Sequence, residues 1–487
     1  MNASQTIQEE HFEVVIGLEV HAQLLTNTKL FSGDPVAYGA SPNTQISPVT
    51  LAHPGTLPML NKKAVELAVR LGLACNSNIT RSNYFARKNY FYPDLPKGYQ
   101  ISQHTIAVCQ GGAITIQLDG KKHAVQLNRI HLEEDAGKSI HDIHPQSTAV
   151  DFNRAGVALV EIVTEPCIHS AGEAYAYLTE LRKLVRYLEV CDGNMEEGSM
   201  RCDANISIRP AGSKMLGTRV EVKNLNSIRN VKKAIEAETT RMIAIVQSGQ
   251  AIVQQTRSFD AVTQTTFALR SKEEANDYRY FPDPDLAPFS ISETFLNQVK
   301  SSLPELPEER IARYMNELQL TEYDARLISD EKEFGDYFDQ LIRHTENYKA
   351  AANWMIGPVR SWLNDNQVVI TAFPIQPTGL AAVIALIEKG TLNFSIAASR
   401  LFPELLKTPG MVPEQLAVSL NLIQDADAGS IHSWVDEVLR NMPEKVLEFK
   451  KGKKGLIGLF VGEVKRVSKG KADPKLTTDI LLKKLQQ

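Results

Sequence analysis

Several common catalytic signatures are missing from this chain. It has no G-x-x-x-x-G-K-[ST] phosphate loop, no G-x-G-x-x-G after a strand, no H-E-x-x-H and no G-x-S-x-G elbow. Phosphate-loop and dinucleotide binding, zinc-protease chemistry and serine-hydrolase chemistry are set aside with them. Cysteine is scarce: Cys75, Cys109, Cys167, Cys191 and Cys202 form an odd, scattered set without a C-x-x-C pair. That set offers no four-thiolate zinc site and suits a reducing compartment. No stretch approaches 18 apolar residues, and the opening Met1–Glu10 is neither apolar nor Arg-rich. Neither a membrane span nor a signal or transit peptide is predicted, and the expected location is cytoplasmic. Positive charge is not in excess either: the net charge is -4, so any contact with nucleic acid must come from a local basic patch.

What is present is a chain of 487 residues, 43% hydrophobic, long enough for about three domains with a core in each. Near its start, Ile16-Gly17-Leu18-Glu19-Val20-His21-Ala22-Gln23-Leu24 alternates strictly. Leu18, Val20, Ala22 and Leu24 belong to one face of an extended strand, and Glu19, His21 and Gln23 to the other. A carboxylate and an imidazole on one face can share a cation or a phosphate-bearing ligand, while a half-buried strand with a wetted polar face needs no ligand at all. Met200–Arg209 repeats the pattern, with apolar even positions and Arg201, Asp203, Asn205, Ser207 and Arg209 at odd ones. Arg219–Lys223 follows after a short connection, as expected of antiparallel neighbours. A sheet carrying Glu19, His21, Arg201, Asp203, Glu221 and Lys223 on one face can cradle a charged ligand, although exposed strands also carry mixed charge.

Two further strands hold acids. Val125–Asp135 ends in His131-Leu132-Glu133-Glu134-Asp135, where the apolar alternation changes phase near Arg129; a bulge there could aim either Glu133 or Glu134 inward. Glu161 interrupts the apolar run Val157–Val163, and an acid in such a run must be paired, metal-bound or turned to a polar cavity. Helices are predicted over Ala174–Leu188 and Val231–Val246. Phe281-Pro282-Asp283-Pro284-Asp285-Leu286-Ala287-Pro288 breaks all periodicity, and Thr408-Pro409-Gly410-Met411-Val412-Pro413 marks a second boundary. Between them the chain reads as helices, with a first turn at Pro307-Glu308-Glu309, a capping box at Asp330 and Glu333, and Trp354 and Trp362 in the core. The expected fold is therefore α+β, with a largely antiparallel sheet and helices over 1–294, an all-α domain over 295–408 and a small all-α tail over 409–487. Between 450 and 475 lie nine basic residues against two acidic ones, a patch that the overall charge hides.

Carboxylates, a histidine and basic residues on one sheet suit Mg²⁺-assisted phosphoryl transfer, and equally a metal-dependent hydrolase. Longer motifs separate the two. Gly17–His21, Pro54-Gly55-Thr56-Leu57-Pro58, Arg87-Lys88-Asn89-Tyr90-Phe91-Tyr92-Pro93-Asp94, His131–Lys138, Met195–Asn205, Val220–Ser227, Tyr278–Asp285 and Gly470–Pro474 occur in order along nearly the whole chain. Together they resemble the GatB family, the B subunits of aspartyl/glutamyl-tRNA amidotransferases. The resemblance implies a cradle-like catalytic domain, a helical domain and a tRNA-binding tail. It implies an ATP-dependent carbon–nitrogen ligase with glutamine as nitrogen donor, in which the side-chain carboxylate of Glu-tRNA(Gln) or Asp-tRNA(Asn) is phosphorylated and ammonia displaces phosphate. It implies a heterotrimer in which the partners are an amidase subunit, the source of ammonia, and a third, small subunit.

Carried onto this sequence, the family's motifs imply that Glu19, His21, Glu134 and Glu161 surround Mg²⁺, with Glu133 and Asp203 as further candidates. Lys88 would contact ATP phosphate, with Arg87, Ser199 and Arg201 beside it. Lys450, Lys451, Lys453, Lys454, Lys465, Arg466, Lys469 and Lys471 would grip tRNA. Some relatives bind zinc through paired cysteines that Phe31-Ser32-Gly33-Asp34 lacks, so no zinc is expected; an inserted domain of the archaeal paralogue finds no room either, which points to the bacterial type. The rival readings are a non-catalytic tRNA-binding scaffold and a stand-alone phosphohydrolase. Replacing Lys451, Lys453 and Lys454 by Ala is expected to weaken tRNA binding and flatten its salt dependence, each lost phosphate contact removing roughly 0.7–0.9 from the log–log slope. Binding titrations at several salt concentrations check this, and an unchanged slope takes the patch out of the interface.

Overall fold

The alternating stretch near the N-terminus forms the strand β1 (Phe12–Gln23), and its apolar face is sealed: Leu18 and Val20 are 0% exposed. The computed structural model describes residues 12–271, 278–423, 428–468 and 472–486. After β1 come helix α1 (Lys62–Ala74), strands β2 (Ala86–Asn89), β3 (Tyr99–Ser102), β4 (Lys121–Glu134) and β5 (Ala158–Thr164), and helix α2 (Ala171–Tyr187). Strands β6 (Met200–Pro210) and β7 (Val220–Leu225), helix α3 (Ile228–Gln247), and strands β8 (Gln255–Asp260) and β9 (Thr265–Ser271) follow. The strands lie side by side in the order β9-β8-β7-β6-β1-β5-β4-β3-β2. Every neighbouring pair is antiparallel except β7–β8.

The sheet's apolar face and the buried stripes of α1, α2 and α3 make one core, in which Leu178, Leu181, Val185, Val231 and Ile235 meet Ile16, Ile130, Ile162 and Ile206. Each of the two longer helices, α2 and α3, starts on a polar side chain that takes up an otherwise unpaired backbone donor. Ser170 Oγ accepts from Glu173 N at 3.0 Å, and Ser227 Oγ accepts from Asn230 N at 3.1 Å. Among the described residues, the opposite face of β1, β5, β4 and β6 carries no helix from this core and holds the polar residues.

The register within β4 slips by one. Val163 pairs with Arg129 and Thr164 with Leu127, so Asn128 is an extra residue in that strand. The slip exchanges its faces. Val125 and Leu127 are buried before the bulge and Ile130 and Leu132 after it, so the core side passes from odd to even residues. His131 and Glu133 thereby join the polar face, and Glu134 leaves it.

The chain divides into two units at Leu306 and Pro307. The break falls after helix α4 (Glu293–Ser301), and not at 294–295, because Val299 is buried in the first core and Phe295, Leu296, Leu303 and Leu306 pack against it. The second unit is helical and holds two separate cores among its described residues, one drawn from 311–422 and one from 431–485. Leu416, Ala417 and Leu422 belong to the former, so the chain beyond Pro413 continues the larger core before the last one begins. Helix α5 (Pro307–Asn316) starts at the expected proline. The expected capping box at Asp330 and Glu333 does not form: α6 (Lys332–Leu341) has Glu331 at its cap, without a side-chain bond. Trp354 is buried, whereas Trp362 is only partly covered, stacking edgewise on Phe373 at 5.4 Å. Between them Pro358 lies in a π-turn, Met355–Val359, which accommodates its missing N–H.

Leu18 is a fully buried member of the first core. Leu18→Ala is expected to destabilise this unit by about 2–5 kcal/mol through lost burial and the cavity left behind, read as a lower urea midpoint.

Candidate active site

Antiparallel pairing aligns four polar residues across the open face. Arg201 of β6 pairs with His21 of β1, His21 with Glu161 of β5, and Glu161 with His131 of β4. Cross-strand partners on one face stand about 5 Å apart at Cβ, which brings His21, Glu161 and His131 within reach of one another. His131 Nε2 lies 3.0 Å from Glu161 Oε2 and 3.7 Å from Glu133 Oε2, and His21 Nε2 lies 3.4 Å from Glu133 Oε1 and 3.8 Å from Glu161 Oε2. One donor atom each from His21, Glu133 and Glu161 falls within 4.8 Å of the others. These residues line a cleft of about 630 Å³, together with Glu19, Lys88, Tyr90, Arg201, Asp203, Lys223 and Tyr278.

Charges in the cleft are held by one another. Burial opposes protonation of His131, but its bonds to Glu133 and Glu161 outweigh that and raise its pKa to about 9. Glu161 is held well below the usual carboxylate range: burial works against its charge, but His131, His21 and Lys88 win. Burial likewise opposes the Lys88 ammonium, and the facing carboxylates of Glu133 and Glu161 keep its pKa above the ordinary lysine value. Its Nζ sits over the Tyr278 ring at 4.9 Å, a further attraction for a cation. Lys223 donates to Asp203 at 2.5 Å and lies 3.0 Å from Glu221; against the cost of burial, the two acids hold it charged. Glu19 stands apart from this compensation. Burial and then Glu161 raise its pKa, and Asn205, donating to Oε1 at 2.8 Å, only partly offsets them.

Two carboxylates and an imidazole converging on one point fit a divalent cation. His21, Glu133 and Glu161 would hold it, and the cation would offset negative charge on a phosphate group bound in the cleft. Of the residues expected around the metal, His21, Glu133 and Glu161 are brought together, and Glu19 and Asp203 line the same cleft beside them. Glu134 is not. The bulge turns it to the other side of the sheet, where it accepts from Lys97 Nζ at 2.5 Å and from Ile101 N at 2.9 Å. It lines another cavity, of about 110 Å³, with Lys29, a buried amine whose pKa is pushed down to about 8 by desolvation.

The expected phosphate contacts divide in the same way. Lys88 and Arg201 reach the cleft, and Arg201 is oriented by Asp135 at 2.8 Å. Arg87, turned away from Lys88 by strand alternation, is engaged by Asp283 at 2.8 Å and Asp285 at 2.6 Å. Ser199 donates to Asp192 at 3.1 Å. In the tail, Lys450, Lys451, Lys453, Lys454, Lys465 and Arg466 are exposed. Lys453 pairs with Glu448 at 3.0 Å, Arg466 with Glu463 at 2.8 Å, and Lys454 covers the Phe449 ring. Lys469 and Lys471 lie outside the described residues. Sequence reasoning does not single out His131, which ties Glu133 to Glu161; it groups Asp135 with Glu133 and Glu134 as acids suited to a divalent cation, whereas Asp135 accepts from Arg201 and from Gln23 at 2.9 Å. Both stand in the motif His131–Asp135, and the phase change at Arg129 is the available signal for their placement.

A mixed sheet with a clustered carboxylate–imidazole face and a following helical unit defines a catalytic domain joined to helical modules. The sequence matches the GatB/GatE catalytic domain over residues 14–297 and the GatB domain over residues 336–485. It is 50% identical over 478 residues to the B subunit of the aspartyl/glutamyl-tRNA(Asn/Gln) amidotransferase of Geobacter sp. (strain M21), covering 98% of this chain and 99% of that protein. The corresponding protein of Thermodesulfovibrio yellowstonii is 48% identical over 98% of this chain and its own full length, and that of Alkalilimnicola ehrlichii 47% over 97% and 99%. The chain belongs to the GatB family of aspartyl/glutamyl-tRNA amidotransferase B subunits.

If the cation is held by His21, Glu133 and Glu161, Glu161→Gln should weaken Mn²⁺ binding at least about tenfold, whereas Glu134→Gln should leave it within twofold. Mn²⁺ titration followed by electron paramagnetic resonance checks both.

Proposed function

We propose that this chain supplies the ATP-dependent carboxylate-activating site of a glutamine-dependent tRNA amidotransferase. It works in the cytoplasm as a heterotrimer with an amidase and a third, small subunit, converting Glu-tRNA(Gln) or Asp-tRNA(Asn) to the amide. The observation that carries the reading is the cleft in which His21, Glu133 and Glu161 converge within 4.8 Å while Lys88 and Arg201 face the same space.

A carboxylate is a poor acceptor for ammonia because its leaving group would be oxide. Phosphorylation supplies a better one. An oxygen of the substrate's side-chain carboxylate attacks the γ-phosphorus of ATP, the bond to the β-bridging oxygen breaks, and ADP leaves with the electron pair. Approach of two anions is the barrier, and the cations of this face lower it: Lys88, desolvated yet charged, and Arg201, held by Asp135, offset the charge gathering on the transferred group. Mg²⁺ bound by His21, Glu133 and Glu161 would supply further charge neutralisation on the phosphates. His131, bridging the two glutamates, keeps their carboxylates oriented. Ammonia then attacks the acyl carbon, inorganic phosphate departs, and the nitrogen gives up a proton. Glu19, whose burial raises its pKa, is the carboxylate on this face suited to take that proton. The exposed lysines of the tail serve the tRNA body.

Glu19→Ala and Lys88→Ala, each assembled with the partner subunits, are expected to lower amide formation about 100-fold or more with ammonium as donor, while tRNA still binds. Quantifying amidated aminoacyl-tRNA against bound tRNA checks this. Normal amidation by either variant would shift the reading to a scaffold that docks tRNA for another catalytic chain.

A further inference from the structure

Beside the catalytic cleft lies another of about 500 Å³, to which α2 contributes Tyr175, Arg182 and Arg186 and the start of α3 contributes Asn226 and Ser227. Met195 and Asn226 line both clefts, so the two are contiguous. Arg182 and Arg186 stand four residues apart and share one face of α2, with Tyr175 two turns earlier on the same side. Both guanidinium side chains are exposed, and neither donates to a carboxylate among the described residues. Asp192, in the same wall, has its oxygens engaged already: Oδ1 accepts from Asn194 N at 2.8 Å and Oδ2 from Ser199 Oγ at 3.1 Å. Glu196 lines the cleft as an exposed residue and pairs with neither arginine.

The loop after α2 is shaped around these arginines. Gly193 has φ +67°, and a Cβ there would come within 2.8 Å of Arg182 Cγ and 3.4 Å of Arg186 Cδ. The bare glycine lets the loop pack against both aliphatic stems, which seats the pair at the cleft wall. Two guanidinium groups that contact no carboxylate among the described residues, next to a site that receives an aminoacyl ester, have donors free for an anion delivered with the substrate.

We propose that Arg182 and Arg186 bind backbone phosphate of the single-stranded 3′ end of the aminoacyl-tRNA and thereby steer its esterified amino acid into the catalytic cleft. This assignment rests on the functional reading above. Cations for a triphosphate already face the catalytic cleft itself, in Lys88, Arg201 and Lys223. The acceptor strand, by contrast, must reach that cleft from outside and carries one negative charge per nucleotide. Tyr175, 44% exposed on the same wall, offers a ring on which an unpaired base can stack.

The test uses the enzyme assembled with its partner subunits, with Glu-tRNA(Gln), ATP and ammonium. The R182A/R186A double variant is expected to raise KM for Glu-tRNA(Gln) at least about tenfold, to keep KM for ATP within twofold, and to lower the salt slope of tRNA binding by about 1.4, two single-strand phosphate contacts at about 0.7 each. R182K/R186K, which keeps the charge, should restore most of the slope. The single variant R186Q, expected to move the same readouts by about half, carries the test if the double variant does not fold. An unchanged KM and slope would overturn the proposal, and so would a raised KM for ATP alone, which would give the arginines to the nucleotide. A wild-type complex that forms no amide would overturn the functional reading and this assignment with it; an active wild type with an indifferent double variant would remove the arginines alone.

Discussion

Antiparallel register between β1, β5 and β4 is the constraint on which the candidate site depends. Side chains on a strand change face at every residue, so a row of four aligned groups survives only if no pair slips relative to its neighbour. Arg201, His21, Glu161 and His131 form such a row. The slip that does occur, at Asn128, lies outside the row and works in its favour: it lets an apolar strand keep its core contacts through Leu127 and then hand that side to Ile130 and Leu132. Without the extra residue, an apolar face formed by Val125 and Leu127 would continue through His131 and Glu133. The bulge is therefore what allows one strand both to close a core and to present chemistry.

Presenting charge on a half-buried sheet carries a desolvation penalty, and the cleft meets it by reciprocal pairing. His131 is shared between Glu133 and Glu161, Lys223 between Asp203 and Glu221, and Asp135 draws Arg201, Gln23 and, at 3.7 Å, Arg154. Breaking one member of such a set leaves its partner buried and uncompensated, which costs more than the pair contributes when intact. Glu19 lacks an equal counter-charge, and its pKa rises accordingly. The same face thus carries carboxylates in two environments: Glu161, whose pKa His131 holds down, and Glu19, whose pKa burial pushes up.

Much of this was legible along the chain. Strict alternation in Gly17–Leu24 and Met200–Arg209 specified which residues of β1 and β6 face the core, because period two permits only one assignment once the apolar set is known. The helices α2 and α3 followed from their apolar stripes, and their serine caps agree with the rule that a short polar side chain closes a helix start. Elsewhere local signals lost to packing. Asp330 and Glu333 have the spacing of a capping box, yet Glu331 takes the cap position. The proline-rich stretch at 281–288 looked like the end of a domain, yet Phe295, Leu296 and Val299 bring the next helix back onto the first core. The break at Thr408–Pro413 is likewise a bend within one core, since Leu416 and Leu422 still belong to it.

By itself the sequence determined the strand faces, the helical character of the second half, the basic tail and, through long ordered motifs, membership of the GatB family. Adjacent acids were beyond its reach. Glu133 and Glu134 differ by one position, and which one enters the cleft depends on a register slip that is set by pairing with β5, a strand that begins only at Ala158. Arg87 and Lys88 pose the same problem, resolved by the distant Asp283 and Asp285 that hold one and by the cleft that receives the other. Tertiary structure alone decided these cases, because the face of a strand residue is fixed by its neighbours across the sheet and not by its neighbours along the chain.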